Sequence, residues 1–441
     1  MDALQTILTY TEQNFSTFTQ MPFNEVDSLI LSWASYPHFG TAFPILCGWE
    51  GVRLGDLFQA EHFETLFHSV WNPESCRRLF TAMAASPRFR NLRVMGFCEQ
   101  VDSTQEKQFS AVTFQLEDSS CYLSFRGTNA TLVGWKEDFN MAFQSPIPSQ
   151  VEAVRYLTDV AAHCDGNLYL GGHSKGGNLA VYAAAFSNPG LQNRILAVFS
   201  HDGPGFLPDV LESPQYTAIH EKIHKTVPQS SIVGMLLEHQ EEFQIVKSNR
   251  ISFWQHDPFS WEVDGDHFIC IDELTPDARY LDHTLSSFVR ALSPEDRERF
   301  IDTLYSIVDC NNIDTFAQLW ADRKTSLPSI AHEASQLDPD TRKFLLDTIR
   351  ELATLCVKIF RKFSENNIGL ILRAFGVSAS EEKVELTPPF LLPFIQTSYL
   401  TLFLSLLFCF LPLYLLPLLY LLFHDDTFHP HPHSSALYIP R

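Results

Sequence analysis

The sequence predicts an α/β fold, a mostly parallel sheet with flanking helices, and three observations carry the prediction. Short β-rich apolar runs alternate with helical patterns through the middle of the chain. A glycine-rich turn, Gly171 to Gly177, joins one such run to a small-residue helix. Apolar residues make up 45% of the 441 positions, enough for a full-sized core.

The elements follow in order. Asn24 to Ser35 reads as a helix with Val26, Leu29, Ile30 and Trp33 apolar, and Pro73 to Ala84 as another with proline near its start. Leu92 to Glu99, Phe109 to Leu116 and Cys121 to Phe125 are strand-like runs separated by polar turns. Ser149 to Cys164 is amphipathic, with Val151, Val154, Leu157, Val160 and Ala161 on one face. Leu168 to Leu170 is a short buried strand, Asn178 to Phe186 a small-residue helix, and Ile195 to Ser200 a further buried strand. Helix and strand in alternation imply a parallel sheet covered on both faces. Phe243 to Ser248 adds a later strand.

This core is expected to fill residues 1–290, with a helical extension over 291–380. In the extension, Ser293-Pro294-Glu295-Asp296 and Asp338-Pro339-Asp340 each have the composition of a helix start. Residues 386–423 contain no Asp, Glu, Lys or Arg and are long enough to cross a bilayer. Lys and Arg are commoner before that segment than after it, so a spanning segment would leave the core in the cytosol. A hydrophobic interaction tail is the other reading. A polar tail, 424–441, ends the chain.

The formal net charge of −21 argues against nucleic-acid binding, which needs a basic surface. The nine cysteines form no CxxC pair, so neither a disulfide framework nor a zinc ribbon is expected, and free thiols fit a reducing compartment. The N-terminus lacks the basic start and apolar core of a signal peptide, which again fits a cytoplasmic location. No cofactor is expected: there is no dinucleotide fingerprint, and His429, His431 and His433 merely alternate with prolines.

The chemistry-bearing motif is Gly172-His173-Ser174-Lys175-Gly176, a G-x-S-x-G nucleophile elbow. The spacing has a physical reason. The serine must sit on a tight strand-to-helix turn so that its hydroxyl projects from the sheet. The flanking glycines then pack against each other, and the following helix aims its first amides at the developing oxyanion. This makes an α/β-hydrolase fold and Ser174 as nucleophile the leading reading. Ser174-Lys175-Gly176 reverses the order a phosphate-cradling loop requires.

Ser124-Phe125-Arg126-Gly127-Thr128, with Trp135 and Asp138-Phe139 downstream, forms a second block. FRGT, W-x-x-D-F and the GHSxGG elbow together resemble the class 3 lipase group. The chain more closely resembles a family of bacterial lipase-like proteins, the Mbeg-like family. The blocks that carry this are Asn24 to Asp27 (NEVD), GHSKGGN, Asp202 to Phe206 (DGPGF) and His256 to Trp261 (HDPFSW), and the resemblance covers residues 1–380. It implies an oxyanion hole built from the amides of Thr128 and Lys175, with the Thr128 hydroxyl as a further donor. Arg126 reads as a structural salt bridge with Asp138 as partner, and the Lys175 cation as either an attractor of anionic substrate or a solvated group.

In this fold the acid and the histidine follow the serine along the chain. The class 3 pattern places the acid near residues 226–233, where Ser230 and Ser231 stand instead of a carboxylate. Asp202, after the preceding strand, is therefore the chosen acid, against a reading as a turn residue before Gly203-Pro204. His256 is the first choice of base, with His283 as runner-up; Asp257 is an alternative for orienting the histidine, and His173 is read as packing beside the elbow. The expected activity is hydrolysis of small-molecule or lipid carboxylic esters through an acyl-enzyme, with membrane contact through 386–423. The rival reading is a catalytically decayed hydrolase-fold binding or scaffold protein.

Overall fold

The computed structural model describes residues 5–309 and 323–355, apart from 69 and 130. The apolar segment 386–423 and the tail lie outside the described residues. Among the described residues no helix is long and apolar enough to cross a membrane.

One nine-stranded sheet organises the chain. Its strands are β1 (Val52–Arg53), β2 (Arg93–Asp102), β3 (Lys107–Gln115), β4 (Cys121–Phe125), β5 (Leu168–His173), β6 (Ile195–His201), β7 (Ile223–Pro228) and β8 (Phe243–Val246). After a small hairpin of β9 (Val263–Asp264) and β10 (His267–Phe268), β11 (Cys270–Ile271) closes the far edge. The sheet order is β1-β2-β3-β4-β5-β6-β7-β8-β11. From β4 to β8 all neighbours are parallel, as the helix–strand alternation predicts; β1 to β4 and β8 to β11 pair antiparallel. The expected mostly parallel sheet is thus a five-stranded parallel block with antiparallel flanks. β2 and β3 pair antiparallel because only a short polar turn joins them, and a parallel pair needs a long crossover.

Helices cover both faces, as an α/β hydrolase-like fold requires. Helix Pro148–His163 and helix Lys175–Phe186 pack with Leu123, Phe125, Leu168, Leu170 and Val198 in one core. Helix Glu25–Trp33 packs on the opposite face, with Val112, Phe114 and Tyr122. The NEVD block explains the second helix. The Asn24 side chain accepts from the Val26 and Asp27 amides at 3.0 Å each, and the Asp27 carboxylate accepts from the Asn24 amide at 3.0 Å. Asp27 then meets Arg88 at 2.5 Å, with both side chains fully buried. Inside the same layer, the Tyr122 hydroxyl lies 2.7 Å from Ser32 Oγ and donates to the Ser28 carbonyl at 2.9 Å. Ser28 Oγ reaches His201 Nε2 at 2.9 Å, and His201 Nδ1 reaches Thr226 Oγ1 at 2.7 Å. Burial, with a contribution from His224, pushes His201 down to about 3, so it serves as a neutral structural link.

The extension is helical where described, with helices Pro294–Asp309 and Arg323–Gln336 and a third over 339–355. Phe300, Leu304, Ile307, Ile330, Leu345 and Ile349 form its small core, which Leu132 and Phe288 of the main body join. Helix Pro276–Ala291 bridges the two regions; sequence reading missed it, although Thr275-Pro276 has the composition of a helix start.

Two stability predictions follow from buried charge. Arg88→Ala strands the Asp27 carboxylate, so chemical denaturation is expected to show a loss of about 3–5 kcal/mol. Glu99, bonded to Arg126 at 2.6 Å and near His38, is raised by burial but lowered more by the His38 hydrogen bond and the Arg126 charge, giving about 2. A carboxyl depressed on folding stabilises above its unfolded value and loses that contribution as pH falls through the folded one. Glu99→Gln should therefore be less stable than the parent at pH 7. The gap is expected to close as pH falls from about 4.5 through about 2, read by unfolding across that range.

Candidate active site

β5 ends at His173 and the next helix starts at Lys175, so Ser174 alone makes the turn. The expected seven-residue glycine turn is thus mostly strand and helix. Ser174 has φ 58° and ψ −134°, backbone angles that side-chain-bearing residues rarely adopt and that cost strain. The neighbouring glycines make the turn sterically feasible. A Cβ on Gly172 would lie 2.2 Å from the Gly176 carbonyl carbon, and one on Gly176 would lie 2.0 Å from the Phe125 oxygen. The Ser174 amide donates to the His201 carbonyl at 2.9 Å, tying the turn to β6.

Asp202 follows β6 directly, in the left-handed region at φ 50°. Its amide donates to the Thr226 carbonyl at 2.7 Å. The carboxylate is almost wholly buried. Oδ1 accepts from Ser231 Oγ at 2.5 Å and from the Gly234 amide at 3.0 Å, while Oδ2 lies 2.6 Å from His256 Nδ1. The side chain thus bonds three partners from later in the chain, Ser231, Gly234 and His256. Ser231, which stands where the lipase pattern puts a carboxylate, instead holds the carboxylate that arrives from the preceding strand.

The His256 imidazole is partly exposed and leans on the elbow: its ring centroid is 4.5 Å from that of His173. His173 Nε2 lies 2.8 Å from the His256 carbonyl oxygen, which fits Nε2 as donor. His173 is buried, and burial together with the neighbouring histidines holds it well below the usual histidine range, so it stays neutral. Its place is the packing position beside the elbow that the sequence suggests. The rest of the HDPFSW block holds His256 in place. Trp261 Nε1 donates to the Gln255 carbonyl at 2.8 Å, and Gln255 Oε1 accepts from the Ser230 amide at 2.8 Å. Asp257 accepts from the Phe259 amide at 3.1 Å and pairs with Arg250 at 3.0 Å, so it braces the loop while Asp202 takes the imidazole. His283 is exposed on helix Pro276–Ala291, with Ser287 of the next turn as its neighbour at 3.2 Å.

The FRGT loop runs beside the elbow: a Cβ on Gly127 would lie 2.6 Å from the His173 oxygen and 3.2 Å from Ser174 Cβ. Thr128 Oγ1 donates to Asp138, 2.7 and 2.6 Å from its two carboxylate oxygens. Burial pushes Asp138 up to about 6, against the pull of the Lys175 cation 3.7 Å away. Two expectations are corrected here. Arg126 pairs with Glu99, not Asp138, because Glu99 on β2 stands opposite Ser110 of β3 and the Arg126 amide, just past β4, donates to that same Ser110. Lys175 is neither solvated nor open to substrate. It is buried, with Nζ 2.8 Å from Glu137 Oε2 and 3.0 Å from the Gln108 oxygen. Glu137 also accepts from the Gln108 amide at 2.9 Å and the Ser149 amide at 2.8 Å. Sequence reading missed Glu137; the adjacent carboxylates of Lys136-Glu137-Asp138 near a lysine-bearing elbow were the available signal.

Lys175 is the first residue of its helix, so its amide has no intrahelical acceptor. Asn178 of the same helix donates to the Gly205 carbonyl at 2.8 Å and accepts from Gln150 at 2.9 Å, which pins the DGPGF loop beside Asp202. The arrangement joins a half-buried serine on a strained turn, an imidazole backed by a buried carboxylate, and amides at a helix start. Among the described residues no group of three or more His, Cys, Asp or Glu side chains is placed to hold a metal ion.

Comparison with known proteins adds the following. No curated protein sequence matches the chain. Among the solved structures that resemble it, two do so at 14% identity. One is described as a triacylglycerol lipase whose catalytic centre is formed by a serine protease triad; the likeness covers 52% of this chain and 82% of that one, with TM-score 0.33. The other is the Rhizomucor miehei lipase propeptide complex, covering 49% of this chain and 67% of that one, with TM-score 0.30. The sequence pattern of the Mbeg1-like family matches residues 83–306, a narrower span than the expected 1–380 but just over half of the 441 residues. The chain belongs to the Mbeg1-like family.

Proposed function

We propose that the chain is a serine hydrolase of carboxylic esters, with Ser174 as nucleophile, His256 as general base and Asp202 as the acid that orients it. The observation that carries this reading is the 2.6 Å contact between Asp202 Oδ2 and His256 Nδ1 beside a strained serine elbow. With Nδ1–H donated to the buried carboxylate, Nε2 is left as the basic nitrogen. It takes the Ser174 proton as Oγ attacks the ester carbonyl. The amides of Thr128 and Lys175 receive the oxyanion. His256 then returns the proton to the leaving alcohol, and water hydrolyses the acyl-enzyme by the same route in reverse.

The hydrogen bonds and ion pairs behind the loop and the helix start support these roles. Asp138, when ionised, accepts the Thr128 hydroxyl hydrogen bond, so Thr128 serves through its amide, and the hydroxyl fixes the loop. Lys175 serves through its amide while its buried cation locks Glu137. A lipid or small-molecule ester fits this chemistry equally, and residues 386–423 would bring the enzyme to a membrane where the former is dissolved.

The test combines a fluorophosphonate probe with p-nitrophenyl ester turnover. The parent protein should label and turn over, and Ser174→Ala should do neither. His256→Ala and Asp202→Ala are each expected to lose about 10³-fold or more in kcat. A parent protein that neither labels nor hydrolyses any ester would favour the decayed scaffold.

A further inference from the structure

Helix Leu132–Asn140 has two occupied faces. One carries Glu137 and Asp138, which hold Lys175 and Thr128 on either side of the elbow. The other carries Leu132, Lys136 and Asn140, which meet the C-terminal extension or the β2–β3 turn. Lys136 is 3% exposed, unusual for a lysine, and a buried ammonium is costly unless it is paired. Its Nζ lies 2.5 Å from Asp302 Oδ1 on helix Pro294–Asp309, 2.8 Å from Asn140 Oδ1 and 3.4 Å from Glu106 Oε2. Asn140 Nδ2 donates to Glu106 at 2.6 Å. Leu132 is buried in the apolar core of the extension, and Arg297 Nη1 donates to the Ala142 carbonyl at 2.9 Å just past the other end of the helix. The extension therefore grips the helix at its start, middle and end.

We infer that Lys136 and Asp302 are positioning residues for the oxyanion hole, and that the helical extension sets where the Thr128 amide sits. The inference rests on the hydrolase reading above. The route is short. Asp302 fixes Lys136, Lys136 fixes the helix, and Asp138 two residues on holds Thr128 by its hydroxyl. Oxyanion donors act only within a few tenths of an ångström of the right place, so a small shift of this helix costs turnover without touching the substrate. Asp302 is the accessible link: its side chain is 54% exposed, so its replacement leaves the cores of both regions intact.

The test uses the full chain and p-nitrophenyl butyrate. Asp302→Ala is expected to lower kcat about 10-fold with KM nearly unchanged, and Asp302→Glu to restore most of it. Affinity for a trifluoromethyl ketone, whose adduct places an oxyanion in the hole, should fall by the same factor as kcat. In an Asp138→Asn background, where the last link is already weakened, Asp302→Ala should cost clearly less than it does alone. Hydrogen exchange of peptides covering 126–140 should quicken in Asp302→Ala whatever the activity. Parent-like kcat and exchange in Asp302→Ala, with Ser174→Ala inactive, overturn this inference and leave the hydrolase reading standing. An active Ser174→Ala overturns the reading itself, and the exchange result then decides the mechanical link alone. A loss in Asp302→Ala that adds in full to that of Asp138→Asn also contradicts the proposed route.

Discussion

A carboxylate taken out of water at the end of a strand is the constraint around which this site is built. Asp202 is buried, and a buried charge is tolerated only when its lone pairs are met. Ser231 Oγ, the Gly234 amide and the His256 imidazole meet them. Each supplier implies a further piece of structure. Gly234 must lack a side chain, since a Cβ there would lie 2.3 Å from Oδ1. His256 must be carried in on a loop that Trp261 and Asp257 brace. The elbow must end beside the same strand, which the Ser174 amide secures by bonding His201. Remove the carboxylate and the imidazole loses its orientation and the loop its anchor; on the proposed reading the serine loses its base as well.

The side proposed to receive the oxyanion is organised by charge in the same way, but through the helix that carries Glu137 and Asp138. Glu137 and Asp138 are neighbours on one helix, and between them they hold the lysine that follows the nucleophile and the threonine opposite it. Pairing Lys175 inside the body removes a cation from the mouth of the site. Lys175, next to the proposed nucleophile, is therefore already neutralised and gives no guide to substrate charge.

The parts of this arrangement that could be read from sequence are the local ones. The elbow is legible because Gly172 and Gly176 are in contact within one turn, so spacing alone encodes the geometry. Asp202 and His256 could be nominated from strand order, yet they are 54 residues apart, and nothing local separates His256 from His283 or Asp202 from a turn residue. Helix Leu132–Asn140 escaped because it buries Lys136, Glu137 and Asn140; apolar periodicity is silent where a helix packs through polar groups. Lys175 looked solvated for the same reason. The partner of Arg126 depended on cross-strand register, which a strand pattern does not specify. The antiparallel flank of the sheet was visible as strands but not as pairing, since the sense of pairing lies in the connection.

The central claim is that an acyl group passes through Ser174. Its most direct test is acid-quenched peptide mapping during turnover of p-nitrophenyl butyrate. The account predicts a butyryl mass increment on the peptide carrying Ser174, transient in the parent protein and absent in Ser174→Ala. Steady ester turnover with that peptide unmodified, or with the acyl group on another residue, would contradict it.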